Sequence, residues 1–335
     1  MADHRVSLPA ACLRVGQTNV ILQWANKNAF NYRIAMIESQ CRRYEALLDT
    51  VHWPNCSSKS VVVPLVYHAI AGSREPPYTV HSIAAANPAY QLNYHNDATA
   101  SAYIKNRCGM RVAAAFKCLH PAAFRADLFR YCALYAEGGV YVDADLVLSR
   151  PLAHIYSPCS NLTLGHDWPV FKKVFIYGNT SKQIKILAAT PRHRIFRCAL
   201  DSVVSNVAKR ATNVHELAIT GPLLFEKCFQ YLQKVDRHHL SSLAFTYIDA
   251  RTSAWPFTGM RTRTEQGKDD LLAFEFPKAA DFVPKKHLGQ IPDYTMDVLH
   301  YNVYQLSCSL NTRVRGPHRK FLRRFWRRST FKQGD

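Results

Sequence analysis

Asp143 and Asp145 stand at i and i+2 directly after the apolar pair Val140 and Val142. Two carboxylates this close repel each other and are expensive to desolvate, so something positive must sit against them. A divalent cation is the simplest partner. All-oxygen ligation of this kind suits Mg²⁺ or Mn²⁺, which keep part of their water and take further ligands from substrate phosphates. Upstream, Asp127 and Arg130 are three residues apart, hence on one face of a helix, where Arg130 can reach the same phosphates and Asp127 can accept hydrogen bonds from hydroxyls. Together these residues describe a site for a sugar carried on a nucleoside diphosphate.

A bare Asp-x-Asp is common in solvated turns and is a weak signal alone. Its surroundings give it weight. From Pro121 the apolar residues Phe124, Leu128 and Cys132 recur at helical spacing, and Gly138-Gly139 supplies the stop that a helix C-terminus favours. Val140, Tyr141 and Val142 are strand formers. Period-two alternation sends the valines to one face and Tyr141, Asp143 and Asp145 to the other. The predicted unit is helix, glycine stop, strand, paired carboxylates.

The run Ala126-Asp127, Arg130-Tyr131, Gly138-Gly139-Val140-Tyr141-Val142-Asp143-Ala144-Asp145 resembles the sugar-binding region of glycosyltransferase family 32. That DXD-containing group includes initiating α-mannosyltransferases and enzymes of capsular polysaccharide synthesis, and is related to the catalytic domains of glucosylating toxins. The resemblance implies a GT-A fold, an α/β architecture with a Rossmann-like nucleotide-binding sheet and flanking helices, here with helical additions. It implies a nucleotide-sugar donor (UDP- or GDP-sugar), a divalent metal, Mn²⁺ or Mg²⁺, and retention of the anomeric configuration. By position, Asp127 contacts donor sugar or ribose, Arg130 the phosphate or sugar, and Tyr141 the nucleotide. Asp143 and Asp145, with Ala144 between them, take the metal, ribose and diphosphate. Asp127, Arg130, Asp143 and Asp145 form the expected catalytic set.

Val62 to Gly72 resembles the family's opening strand, which places Tyr67, His68 and Ala69 beside the nucleotide base. The tryptophan usual after that histidine is Ala71 here, so Tyr67 is the substitute stacking residue. Asn87 to Tyr90, followed by Tyr94 and Asp97, resembles the family's second strand and its exit. Ile219-Thr220-Gly221-Pro222 matches a recurring Thr-Gly-Pro turn, with its proline suited to a first helical position. Met296 to Tyr304 offers His300 as a further metal or diphosphate ligand, with Asp297 in reserve, because the family's closing segment carries a histidine there. Asp167-Trp168 is equally an acceptor contact or a capped loop packing its indole on the core.

The 335 residues, 48% hydrophobic, allow a substantial core. Residues 1–58 read as a helical N-terminal cap, 59–310 as the GT-A catalytic domain and 311–335 as a basic amphipathic segment. In that last segment Phe321, Leu322, Phe325 and Trp326 make an apolar stripe among arginines, which suits peripheral contact with an anionic membrane or simple docking, with nucleic acid ranked lower. The net charge of +19 also suits anionic donors. The N-terminus lacks the apolar core of a signal peptide, and no segment approaches the roughly 20 apolar residues of a membrane span. The expected localisation is therefore cytoplasmic, with peripheral membrane contact. Ten scattered cysteines without CxxC pairs read as free thiols, Cys132 and Cys228 serving as small hydrophobes on helix faces.

These readings converge on a metal-dependent retaining glycosyltransferase, a hexosyltransferase acting on a glycan, glycolipid or protein acceptor. Two alternatives stand beside it. One is a basic polyanion- or membrane-binding protein with a structural Asp-x-Asp pair. The other is a metal-dependent phosphohydrolase, which would want more acidic ligands than the sequence offers near Asp143.

Overall fold

The structure is a computed structural model that describes residues 63–148, 151–152, 161–166, 182–211, 216–235, 248–249, 259–263, 269–275, 303–305 and 308. The expected N-terminal cap, the basic C-terminal segment, Asp167, Trp168, Asp297 and His300 lie outside the described residues.

Strand β1 (Val66–Ile70) leads through helix α1 (Tyr78–Ala86) to strand β2 (Gln91–His95). Helix α2 (Asp97–Cys108) opens on a reciprocal cap: the Asn96 side chain accepts from the Thr99 amide and the Thr99 hydroxyl accepts from the Asn96 amide, each at 3.0 Å. Both orphan donors are thereby satisfied. Helix α3 (Met110–Cys118) and helix α4 (Ala122–Ala136) follow, and α4 begins directly after Pro121 as its spacing predicts.

Gly138 and Gly139 end the helix with φ of 67° and 91°. Neither position has room for a side chain: a Cβ on Gly138 would lie 2.6 Å from the Pro191 nitrogen, and one on Gly139 would collide with the Val66 carbonyl oxygen. The glycines therefore set both the turn and the approach of strand β3 (Gly139–Val142) to β1.

The central sheet has the order β2-β1-β3-β6-β5, with β5 at Leu162–His166 and β6 at Lys182–Ala189. Strand β1 runs parallel to both β2 and β3, pairing Tyr67 with Leu92 and with Val140, while β6 is antiparallel to β3 and β5. The lateral order reverses between β1 and β3. Open α/β sheets bind ligands at the carboxyl ends of strands at such a switch point. Helices α5 (Arg194–Lys209) and α6 (Pro222–Val235) complete the helical layer, and α6 starts at the proline of the Thr-Gly-Pro turn. A second sheet, order β4-β9-β8-β7, joins β4 (Leu146–Leu148), β9 (Asp269–Glu275), β8 (Gly259–Arg263) and β7 (Ile248–Asp249).

Alternation along β3 decides the two cores. Tyr141 packs with Phe129, Tyr131, Phe196 and Phe225 beneath the large helical layer. Val140 and Val142 pack with Tyr67, Ile186 and the α1 residues Val80 and Ile83 on the other side. The sheet is thus flanked by helices on both faces, the α/β arrangement expected of a GT-A fold. Among the described residues no helix is long and apolar enough to cross a membrane.

The cysteines depart from expectation. Cys132 is bonded to Cys108, Cys228 to Cys198, and Cys118 to Cys308, with Cα separations of 6.0, 5.8 and 5.2 Å. Among the described residues no cysteine is free. The partners are 24, 30 and 190 residues apart. Tertiary packing brings them together, and no local spacing announces it.

Candidate active site

The site is built where α4 passes the exit of β3. Asp127 and Arg130 occupy successive turns of α4, and both are buried. Arg130 Nη2 lies 3.2 Å from Asp127 Oδ1 and 3.0 Å from Asp143 Oδ1. The rest of the guanidinium is also engaged: Nη1 donates to the Ile184 carbonyl at 2.7 Å and Nε to the Ala126 carbonyl at 3.3 Å. Its carbon sits 4.6 Å from the Tyr141 ring centroid. Asp143 therefore has a resident arginine as its positive partner, with the Lys185 charge acting on it as well. In this arrangement Arg130 holds Asp127 and Asp143, and its nitrogens point into the protein where the sequence predicts that they reach for phosphate.

Tyr141 donates its hydroxyl to Asp143 Oδ1 at 2.7 Å, which places the two side chains on one face as alternation predicts. The Asp143 amide donates to the Lys185 carbonyl at 2.9 Å and the Leu146 amide to the Asp143 carbonyl at 3.1 Å, so the carboxylates ride on a hydrogen-bonded turn. Ala144 is fixed in that turn through its carbonyl, which accepts from the Thr79 hydroxyl. Ala144 and Asp145 are both half-buried.

A residue outside the expected site set completes the network. Thr220, fully buried, donates its hydroxyl to Asp127 Oδ2 at 2.7 Å, and its own carbonyl accepts from Tyr131 Oη at 2.8 Å. A Cβ on Gly221 would come within 3.4 Å of the same Asp127 oxygen. The Thr-Gly-Pro turn that the sequence displays is thus a wall of the site. Its chemistry is hidden in sequence because Thr220 meets Asp127 only through the packing of α6 on the α4 layer.

Burial dominates the electrostatics. It pushes the Asp127 carboxyl up to about 6 against the opposing pull of Arg130 and Thr220. Burial raises Asp143 as well, with Arg130 and Tyr141 opposing and Asp145 reinforcing. For Arg130, burial acts to lower its pKa, but Asp143, Tyr141 and Asp127 together hold it above its ordinary value. Arg130 stays charged, and the Lys185 charge also pulls against the rise at Asp143.

The residues expected beside the nucleotide base divide. Tyr67 and Ala69 are fully buried on β1. Burial and then the Asp143 charge raise the Tyr67 phenol, and its hydroxyl has no hydrogen-bond partner among the described residues. His68 is also fully buried, but Nε2 meets the Gly138 carbonyl at 2.8 Å and Nδ1 the Asn93 amide nitrogen at 3.0 Å. A carbonyl only accepts, so Nε2 carries the proton and Nδ1 accepts. His68 therefore secures the glycine stop, with no ring nitrogen left for a base.

Among the described residues no group of three or more His, Cys, Asp or Glu could hold a metal ion. Residues 73–163 match the family model of a glycosyltransferase sugar-binding region containing a DXD motif. That stretch includes Asp127, Arg130, Tyr141, Asp143 and Asp145. A solved structure titled PaToxG Glycosyltransferase is similar at 19% identity and a TM-score of 0.40, covering 64% of this chain and 84% of that one. No curated protein matches the chain. On the family match, the chain carries a glycosyltransferase DXD region within residues 73–163.

Proposed function

We propose that this chain is a metal-dependent, retaining glycosyltransferase of the family-32 type. It would move a hexose from a UDP- or GDP-sugar to a glycan, lipid-linked or protein acceptor with formation of an α-glycosidic bond. The observation that carries the reading is the shared hold of Arg130 on Asp127 and Asp143 at the carboxyl end of β3, beside the switch point of the sheet.

The chain's residues fit the implied metal in donor chemistry. Asp143 and Asp145 supply oxygen ligands suited to Mn²⁺ or Mg²⁺. The buried Tyr67 hydroxyl, under the influence of Asp143 and without a hydrogen-bond partner among the described residues, adds a polar atom to the lining of the site. Two carboxylates leave the remaining ligands to donor phosphates, with His300 the candidate that the sequence offers. When bound, the ion would offset the charge of the departing diphosphate.

The protein's own part is positioning. Arg130 keeps Asp127 and Asp143 at fixed separation and limits their repulsion, so their oxygens need no reorganisation when the donor arrives. Asp127, held by Thr220 on one oxygen and Arg130 on the other, accepts hydroxyls of the donor sugar or ribose. Tyr141 orients Asp143. No enzymatic base is assigned, and the acceptor proton goes to the leaving phosphate on the same face of the sugar.

A thermal-shift panel of UDP- and GDP-sugars with Mn²⁺ or with EDTA tests this reading, because a ligand that binds only the folded state raises Tm. The expected result is stabilisation by one donor class that needs metal and is lost in Asp143→Ala and Asp145→Ala. Donor-independent stabilisation by heparin or anionic vesicles alone would favour the polyanion- or membrane-binding alternative.

A further inference from the structure

We infer that this chain matures and acts in an oxidising compartment, with Cys108–Cys132, Cys118–Cys308 and Cys198–Cys228 as permanent structural bridges. Three observations carry this. All six described cysteines meet in pairs, and none is left over. The Cα separations of 5.2 to 6.0 Å fall inside the window a disulfide requires. The cysteines gather as isolated twos, and no cluster of metal-ligating side chains forms among the described residues, so zinc does not explain the meetings.

The placement of the pairs is structural. Cys108–Cys132 ties the end of α2 to α4, the helix of Asp127 and Arg130, and Cys198–Cys228 ties α5 to α6. Cys118–Cys308 fastens the end of α3 to a segment already hydrogen-bonded to it, where His120 donates to Val303 and Gln305 to Cys118, each at 2.9 Å. Cys118, Cys132, Cys198 and Cys228 are buried, unlike the exposed, low-pKa thiols of redox sensors. A cytosol keeps thiols reduced, and bridges of this density persist where it does not.

Each bridge forms by thiol–disulfide exchange: two thiols give up two protons and two electrons, and the disulfide of an oxidoreductase in that compartment is reduced to a dithiol. This placement differs from the cytoplasmic one that the N-terminal sequence suggests. Resting on the transferase reading, it also narrows the acceptor class. The acceptor is a glycan, lipid headgroup or protein that enters the same compartment, and cytosol-confined proteins are outside its reach.

The test is thiol mapping of the full chain, with N-ethylmaleimide added at lysis so that no bridge forms afterwards. Protein expressed in an oxidising compartment and protein expressed in a reducing cytosol are digested without reduction, and linked peptides are sequenced by mass spectrometry. The expected result is the three named pairs in the first sample. The same protein should lose Tm on dithiothreitol treatment. Alkylated thiols at these six positions in the first sample would overturn the inference.

A second measurement guards against misfolded variants. Cys198→Ala, Cys228→Ala and the double variant should share one Tm deficit under oxidising conditions, since either change alone removes the bridge. Additive deficits would show two independent thiols and sink it. Neither experiment uses donor or acceptor, so each can fail while the transferase reading stands, and the reverse.

Discussion

Arg130 and Asp143 are joined across the gap between α4 and the end of β3, with Nη2 3.0 Å from Oδ1. The same nitrogen serves Asp127, so one side chain bridges the two carboxylates. Removing it leaves one buried and one half-buried carboxylate without this partner. Arg130→Ala should cost about 3–5 kcal/mol of stability and abolish turnover. Arg130→Lys, a point charge without the fork, should recover part of the stability and little of the turnover. Urea unfolding and donor turnover measured on both variants check this, and an Arg130→Ala protein as stable as the parent would refute it.

Gly139→Ala tests the glycine stop. The substitution asks an L-residue to adopt φ of 91° and drives its Cβ into the Val66 carbonyl. A loss of more than about 2 kcal/mol is expected from the backbone alone. The β1–β3 pairing that presents Asp143 should loosen with it, which hydrogen exchange at Val140 and Tyr141 would report as lost protection.

His68 makes stability depend on pH. Burial lowers its pKa from 6.5 to about 4, with the Gly138 carbonyl opposing and His95 reinforcing. The folded state therefore binds fewer protons than the unfolded chain between those values. Its contribution is full above pH 6.5 and is lost as pH falls towards 4, up to about 3 kcal/mol. Asp127 works the other way, since its raised pKa favours the fold at low pH and this advantage disappears as pH rises to about 6. The comparison that isolates His68 is with His68→Gln: the stability gap between parent and variant should be wider at pH 7.5 than at pH 5. A gap independent of pH would contradict the assignment.

Thr220→Val removes a buried donor without changing shape much. Asp127 Oδ2 then loses its hydroxyl partner, which should cost about 1–3 kcal/mol. The carboxyl should also rise beyond about 6, moving the acid limb of the turnover profile to higher pH. Thr220→Ser keeps the hydroxyl and should keep the parent profile. Identical pH profiles for the valine and serine variants would leave Thr220 no role beyond packing.

What the sequence discloses is local, and what it hides is long-range. The helix after Pro121, its glycine stop, the alternating strand and the start of α6 at Pro222 all follow from spacing and residue type within a few turns, and the structure has each of them. The need for a positive charge beside Asp143 is legible too. That Arg130 supplies it depends on the distance between α4 and β3, which no pattern encodes. His68 illustrates the same limit: its place on the opening strand is readable, but its partners Gly138 and Asn93 come from other elements. Pairing of Cys118 with Cys308 across 190 residues is the extreme case.

That last bond has a mechanical consequence. Residues 119–307 form a covalent ring closed at Cys118 and Cys308, and Asp127, Arg130, Asp143, Asp145 and Thr220 all lie within it. Tension applied at the two chain ends passes through the sulfur bridge and bypasses the ring. A single proteolytic cut inside the ring likewise opens a loop without releasing a fragment. Pulled or nicked, the chain should keep its aspartates and arginine tethered to one another for as long as that bridge survives.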